Sequence, residues 1–206
     1  MVIAVMLSGC GSDKGSMVES NNDDELVVAE EVANTESTET GETTPENTDK
    51  KVVKLTKISD YSCGVCRQAN KTIEKIAAEL GDQMELELIN FNIFAQSKNV
   101  ALASECAKEQ GEDKMIAFHN TYFDAHFGET SVKDVRKVVE KVGADMTKMD
   151  ECLDSGRPQL ALDNSAEYSR SKGITGTPYF LINDTDAIPG FPRSEIQFRA
   201  KIMEYL

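Results

Sequence analysis

Cys63 and Cys66 are the residues whose spacing most directly suggests chemistry, because only Gly64 and Val65 separate them. They stand where a strand-like run ends and a helical pattern begins. Free N–H groups and the dipole at the N-terminus of a helix favour a thiolate, and only the thiolate attacks a disulfide. We therefore predict that Cys63, in the first turn of that helix, is the nucleophile of a redox centre. Cys66 is expected to resolve its mixed disulfides.

Two other interpretations of the cysteine pair are half of a zinc site and a structural disulfide. A zinc site needs a second Cys-x-x-Cys or a suitably spaced pair of histidines. The other cysteines are far apart, and His119 and His126 lie on one predicted aromatic helix, where packing is the expected role. A bridge across two residues closes too short a loop to add much stability. The sequence therefore predicts no metal and no cofactor beyond the cysteine pair itself.

The elements around the pair begin with a β–α–β unit. Alternating, β-branched runs predict strands at 51–59 and 84–93. Between them, apolar residues at helical spacing predict a helix that Ser62 caps and Gly81 ends. A β–α–β unit favours two parallel strands joined by a right-handed crossover.

The middle of the chain, from about 96 to 172, is predicted to be helical, with five segments that each end near a glycine. Strand patterns follow at 177–183 and 187–190, joined by a hairpin turn, and a last helix covers 194–206. This order predicts an α/β, thioredoxin-like fold with an all-helical subdomain inserted between its β–α–β and β–β–α halves. The expected caps in the insertion are Asp113, Ser131 and Asp145.

A second motif is "GITGTPYFLIN", residues 173–183, in which Thr177 precedes Pro178. Proline is tolerated as the first residue of a strand or at a sheet edge. It also suits a cis peptide bond held in a tight turn. The residues of this motif alone leave both possibilities open.

Together, "ISDYSCGVC" and "GITGTPYFLIN" resemble the two signatures of the DsbA-like thiol:disulfide oxidoreductases of the thioredoxin superfamily. The resemblance covers about residues 52–206. It implies that the Thr177–Pro178 bond is cis and packs against the cysteines, and that the backbone of Thr177 binds an extended substrate peptide as an added strand. The sequence departs from the family at Gly64-Val65, where Pro-His or Pro-Tyr is usual, and this leaves the strength of the oxidant open.

Cys106 and Cys152 lie in two different predicted helices of the insertion. A bridge between them would stabilise the fold by about 4 kcal/mol in the chain-entropy treatment. Their surroundings also resemble positions at which relatives of the DsbA-like proteins carry cysteine. Two buried free thiols that pack as small apolar side chains are the alternative. We favour the disulfide.

The N-terminal "MVIAVMLSGC" resembles the lipobox of bacterial lipoproteins, which predicts a signal segment at 1–10 and lipid on Cys10. Lipid there would anchor the protein to a membrane surface without spanning it. With Cys10 modified, four cysteines remain, which can pair as Cys63–Cys66 and Cys106–Cys152 in an oxidising compartment.

The acidic charge of the sequence is concentrated in residues 11–50, which hold 12 Asp and Glu against two lysines, whereas 51–206 hold 24 acidic and 20 basic residues. A polar, acidic segment without aromatic residues predicts a disordered tether ahead of a domain at 51–206. No basic patch supports nucleic-acid binding.

These patterns predict an extracytoplasmic, lipid-anchored thiol:disulfide oxidoreductase that forms disulfides in cysteine-containing exported polypeptides. A membrane redox partner would reoxidise it. The alternatives are a reductase or isomerase that runs the same exchange in reverse, and a non-catalytic lipoprotein that binds peptides. Potential relative to the compartment decides the direction of exchange.

Overall fold

The computed structural model describes residues 51–206, so the expectations for Cys10 and for residues 1–50 lie outside the described residues. A π-helical turn follows α3 directly, and short 3-10 turns precede β2 and α2. The elements in chain order are β1 (Val53–Ser59), α1 (Gly64–Leu80), β2 (Met84–Asn90), α2 (Lys98–Lys108), α3 (Glu112–Thr121), α4 (Val132–Lys141), α5 (Met146–Asp154), α6 (Arg157–Ser171), β3 (Tyr179–Ile182), β4 (Asp186–Pro189) and α7 (Glu195–Met203).

The four strands form one sheet in the order β2-β1-β3-β4. β1 and β2 are parallel from Val53 beside Met84 to Ser59 beside Asn90, whereas β3 is antiparallel to both β1 and β4. Helices α2 to α6 lie between the two halves in the chain. This arrangement confirms the predicted α/β thioredoxin-like fold with its helical insertion.

β1 is an interior strand, and six of its seven residues are buried. Leu55 belongs to a core that includes Ile73 of α1 and Phe198 of α7. Ile58 belongs to a separate core with Leu181 of β3, against which Tyr168 of α6 packs. Apolar clusters therefore pack against β1 on both sides, and Cys63 and Cys66 follow four and seven residues after its C-terminal end.

The ends of several elements differ from the sequence-based expectation. Cys63, not Ser62, is the N-cap residue of α1. Gly111, with φ of 144°, precedes α3 in place of the expected cap Asp113. The expected caps Ser131 and Asp145 are confirmed, since their side chains accept N–H groups of α4 and α5.

β2 ends at Asn90, before the predicted end at residue 93. The carboxylate of Asp60 accepts the N–H groups of Ile93 and Phe94, which a longer strand would have offered to a neighbouring strand. No helix within residues 51–206 combines the length and apolar character needed to cross a bilayer.

A disulfide joins Cys106 of α2 to Cys152 of α5, with an S–S distance of 2.06 Å and a Cα–Cα distance of 5.7 Å. The two residues are 46 positions apart, and fixing such a loop removes conformational entropy from the unfolded chain. We expect the double variant Cys106→Ala, Cys152→Ala to lose about 4 kcal/mol of unfolding free energy in urea. Alanine avoids placing hydroxyl groups in the apolar core. A loss below about 1 kcal/mol would contradict this view of the bridge.

Candidate active site

Cys63 and Cys66 meet at the start of α1 as two free thiols. The N–H of Cys66 donates to Sγ of Cys63 at 3.2 Å, and the N–H of Cys63 donates to the carbonyl oxygen of Asp60 at 3.1 Å. Cys63 is 8% exposed, whereas Cys66 is fully buried. Cys63 also lines a cavity that is open to the surface, so an incoming thiol or disulfide has a route to Cys63 that it does not have to the fully buried Cys66.

The two thiols differ in acidity. Hydrogen bonds lower the pKa of Cys63 from 9.0 to about 6, the largest effect being the bond from the Cys66 thiol, and the N–H of Cys66 and Thr177 act in the same direction. Burial raises the pKa of Cys66, and its hydrogen bond to Cys63 adds to that rise. At neutral pH the accessible sulfur is therefore a thiolate and the buried one a thiol, as attack by one and resolution by the other require.

The second motif lies against Cys63. The Thr177–Pro178 peptide bond is cis, and Sγ of Cys63 is 3.5 Å from the carbonyl oxygen of Thr177. The two residues are 114 positions apart in the sequence. They meet because β3, which begins just after Pro178, pairs with β1, placing Tyr179 opposite Ile58.

A shallow groove passes over Cys63 and the cis proline turn. One cavity of about 420 Å³ adjoins Cys63, and another of about 340 Å³ lies beyond the turn; the two share residues 175–177. Apart from the sulfur of Cys63, no side chain that is charged at neutral pH lines either cavity among the described residues, although 28% of the residues in the sequence are Asp, Glu, Lys or Arg. The rest of the lining consists of apolar side chains, hydroxyl groups and backbone. The cavity beside Cys63 is lined by Ser62, Cys63, Gly64, Val65, Ile93, Phe94, Thr175, Gly176 and Thr177.

Lys57 is a residue of the site that the sequence analysis does not identify. It lies in β1 with its side chain fully buried, and its Nζ donates to Oδ1 of Asn70 in α1 at 2.8 Å. Desolvation lowers the pKa of Lys57 from 10.5 to about 7, although negative charge on Cys66 in its thiolate form, on Glu74 and on the Cys63 thiolate acts in the opposite direction. Because these interactions are reciprocal, a protonated Lys57 favours the thiolate form of the cysteines.

A signal for Lys57 was present in the sequence. Position 57 lies within a short β-branched run, and a lysine in a strand that is covered on both faces cannot extend to water. The sequence does not show, however, that β1 is an interior strand. That position in the sheet is what identifies Lys57 as a buried residue.

His119 of α3 connects Lys57 to the helical insertion. Its Nε2 lies 2.8 Å from Nζ of Lys57 and its Nδ1 lies 3.1 Å from the hydroxyl of Tyr61. Burial, and then the charge of Lys57, hold the pKa of His119 well below its ordinary value. A neutral imidazole accepts at one nitrogen and donates from the other, so Lys57 donates to Nε2 and Nδ1–H donates to Tyr61. The hydroxyl of Tyr61 in turn donates to Ser104 at 2.7 Å.

Aromatic packing around Tyr61 attaches the helical insertion to the cysteine turn, which is the segment 60–63 between β1 and α1. Tyr61 stacks on Phe123 with ring centroids 5.4 Å apart and meets Tyr122 edge-on. Arg67, next to Cys66, donates from Nε to the carbonyl oxygen of Phe123 at 2.7 Å and lies over the ring of Phe127. The π-helical turn Tyr122–His126 supplies this carbonyl.

His126 and the metal alternative are the two remaining features from the sequence. His126 contacts Glu129 at 2.8 Å and is not part of the network around Lys57. Within residues 51–206, no group of three or more His, Cys, Asp or Glu side chains is arranged to hold a metal ion.

Comparison with known proteins agrees with this architecture. The family model described as Thioredoxin matches residues 47–195. No curated protein matches the sequence.

Solved structures resemble the chain over 76% of its length. The thiol-disulfide exchange protein alpha-DsbA2 from Wolbachia pipientis is 21% identical, with 83% of it covered and a TM-score of 0.66. A thioredoxin-like oxidoreductase from Silicibacter pomeroyi is 21% identical, with 89% covered and a TM-score of 0.62. The catalytic domain of Proteus mirabilis ScsC is 20% identical, with 85% covered and a TM-score of 0.62. These likenesses confirm the DsbA-like resemblance at the level of the fold, and the family match shows that the chain belongs to the thioredoxin family.

Proposed function

We propose that this protein is an extracytoplasmic thiol:disulfide oxidoreductase that forms disulfides in exported polypeptides, with Cys63 as the nucleophile and Cys66 as the resolving cysteine. The observation that carries the proposal is the accessible Cys63, whose pKa is lowered to about 6, lying 3.5 Å from the carbonyl oxygen of Thr177. Thr177 and Pro178 are proposed to bind the substrate backbone beside the reacting sulfur.

The exchange transfers two electrons in two steps. A substrate thiolate attacks Sγ of Cys63 in the oxidised pair. This attack forms a substrate–Cys63 disulfide and releases the sulfur of Cys66, which then takes up a proton. A second substrate thiolate then attacks the substrate sulfur of that bond and releases Cys63 as a thiolate. The substrate is oxidised to a disulfide, and the cysteine pair is reduced. In the reverse direction, Cys63 attacks a substrate disulfide and Cys66 resolves the mixed disulfide.

Thiolate stabilisation favours the oxidase direction. A low pKa at Cys63 stabilises the reduced form of the pair, and a stable reduced form makes the disulfide a stronger oxidant. Gly64 and Val65 contribute no charged group. Hydrogen bonds at the helix N-terminus, with the Cys66 thiol first among them, supply most of the stabilisation, and a protonated Lys57 adds to it.

The proposed setting follows from the N-terminal sequence. The lipobox-like segment ending at Cys10 supports a lipid anchor at a membrane surface, with residues 11–50 as a spacer to the domain at 51–206. The Cys106–Cys152 bridge is in keeping with an oxidising compartment. A similar protein from Salmonella enterica serovar Typhimurium is described as periplasmic. The proposed partners are cysteine-containing exported polypeptides and a membrane protein that reoxidises Cys63–Cys66.

Equilibration of the protein in graded mixtures of reduced and oxidised glutathione tests the function, with free thiols counted by mass-tagging. We expect Cys63 and Cys66 to change state together and reversibly at an oxidising potential, and the oxidised protein to form disulfides in a reduced, unfolded test protein. A midpoint as low as that of thioredoxin, about −270 mV, would instead assign a reductase. A pair that never changes state, with peptide binding intact, would support the non-catalytic alternative.

A further inference from the structure

We propose that Asp60 is a positioning residue that holds residues 92–94 beside Cys63, so that Ile93 and Phe94 form an apolar wall. This wall selects polypeptides that carry an apolar residue next to the reacting cysteine. The inference rests on the proposed function, since selection requires that Cys63 exchange disulfides with polypeptides.

The position of Asp60 follows from the topology of the sheet. Because β1 and β2 are parallel, their C-terminal ends lie at the same edge, and the N–H of Phe91 still donates to the carbonyl oxygen of Ser59 at 2.9 Å. Beyond that hydrogen bond the two segments of the chain diverge. The segment after β1 leads to the cysteines, and the segment after β2 leads to α2. Asp60 is the first residue after β1, at the point of separation.

The carboxylate of Asp60 connects the two diverging segments. Its Oδ1 accepts the N–H of Ser62 at 2.6 Å, and its Oδ2 accepts the N–H groups of Ile93 at 2.7 Å and Phe94 at 2.9 Å. The side-chain amide of Asn92 donates to Oδ2 at 3.4 Å. Asp60 is only 1% exposed. A buried carboxylate that accepts backbone N–H groups forms strong, charge-assisted hydrogen bonds, so it fixes the spacing between the cysteine turn and residues 92–94.

The residues held in this way are apolar and accessible. Val65, Ile93 and Phe94 are 47%, 42% and 43% exposed, and all three line the cavity that adjoins Cys63. They are three of the seven exposed large apolar side chains in the described part of the chain. Their concentration around the accessible sulfur indicates a surface that contacts an apolar group rather than water.

An extended peptide bound along Thr177 would present successive side chains in opposite directions. When its cysteine reaches Cys63, a neighbouring side chain comes within reach of the wall. An apolar side chain there removes Ile93 and Phe94 from water, whereas a polar one does not. The wall contributes to selection only while Asp60 keeps it in place.

Single-turnover reaction of the oxidised full-length protein with reduced single-cysteine peptides tests the inference. The two peptides differ only in carrying leucine or serine next to the cysteine, and dithiothreitol serves as a thiol too small to contact the wall. We expect the wild type to react about tenfold faster with the leucine peptide, a ratio typical of one apolar side chain in a pocket. In Asp60→Ala and in Phe94→Ala the ratio of the leucine rate to the serine rate should fall to about one. Each peptide rate is divided by the same variant's dithiothreitol rate, which removes any change in the reactivity of the cysteine pair itself.

Two further variants separate positioning from a general loss of structure. Asp60→Asn keeps one acceptor oxygen, so it should give a ratio between those of the wild type and Asp60→Ala, and it replaces Asp60→Ala if that variant does not fold. Leu160→Ala removes an exposed apolar side chain on α6 and should leave the ratio unchanged. A wild type without preference, or Asp60 variants that keep the tenfold ratio, would overturn the inference. Failure of the wild type to react with dithiothreitol would instead overturn the proposed function.

Discussion

Replacing Cys63 with Ser is expected to reduce disulfide exchange to the rate measured without the protein. A serine hydroxyl is not ionised near neutral pH, and the remaining thiol of Cys66 is fully buried. Burial also raises the pKa of Cys66, so it cannot substitute as an attacking thiolate. The measurement is the rate at which disulfides form in a reduced test protein, with free thiols counted over time.

The matched variant Cys66→Ser should behave differently. Cys63 remains accessible and can attack a substrate disulfide, but no second thiol in the pair can resolve the product. A mixed disulfide with substrate should therefore accumulate and appear as a covalent adduct on non-reducing gels, and Cys63→Ser should form none. If Cys63→Ser retained exchange, or if adducts formed at Cys66, the proposed roles of the two cysteines would be wrong.

Replacing Lys57 with Met is expected to remove a pH dependence of stability that a buried amine imposes. Below about pH 7, Lys57 is protonated in both the folded and the unfolded protein, and the buried charge lowers stability by about 5 kcal/mol relative to high pH. Between about pH 7 and 10.5 the unfolded chain binds a proton that the folded protein does not, so stability rises with pH by about 1.4 kcal/mol per pH unit. Above about pH 10.5, Lys57 is neutral in both the folded and the unfolded protein, so its burial no longer lowers stability.

The Lys57→Met variant should lose this slope. It also leaves Oδ1 of Asn70 and Nε2 of His119 without their donor, but that loss changes stability by the same amount at every pH in the window. Urea unfolding at several pH values therefore separates the two effects. Lys54→Met is the control, because Lys54 lies on the same strand but forms surface ion pairs with Glu87 and Asp184.

Lys57→Met should also change the chemistry of Cys63. Without the nearby positive charge, the thiolate loses a stabilising interaction, and the midpoint of Cys63 alkylation should move above about pH 6. The reduced pair becomes less stable, so the potential should fall, with about 30 mV for each tenfold change in the equilibrium constant. If Lys57→Met changed neither the dependence of unfolding free energy on pH nor the pH midpoint of Cys63 alkylation, Lys57 would carry no charge near the cysteines.

The sequence by itself determined the architecture and identified the cysteine pair at the start of α1. Helical and alternating apolar patterns are local, so they identified β1, α1, the five helices of the insertion and the final β–β–α unit without knowledge of the contacts between them. Cys63 and Cys66 were recognisable because their chemistry depends on a short spacing at a helix N-terminus, which is also a local property. The caps at Ser131 and Asp145 were predicted correctly for the same reason.

Tertiary structure decided what depends on residues distant in the sequence. Whether Lys57 is a surface or a buried residue depends on the strand order, because only an interior β1 places its amine beneath α1 beside His119. Asp60 became a connecting residue only when the parallel pairing of β1 and β2 brought Ile93 and Phe94 within reach of its carboxylate. Periodicity reports which face of an element is apolar, but burial of a charge and the meeting of two loops are set by how the elements pack.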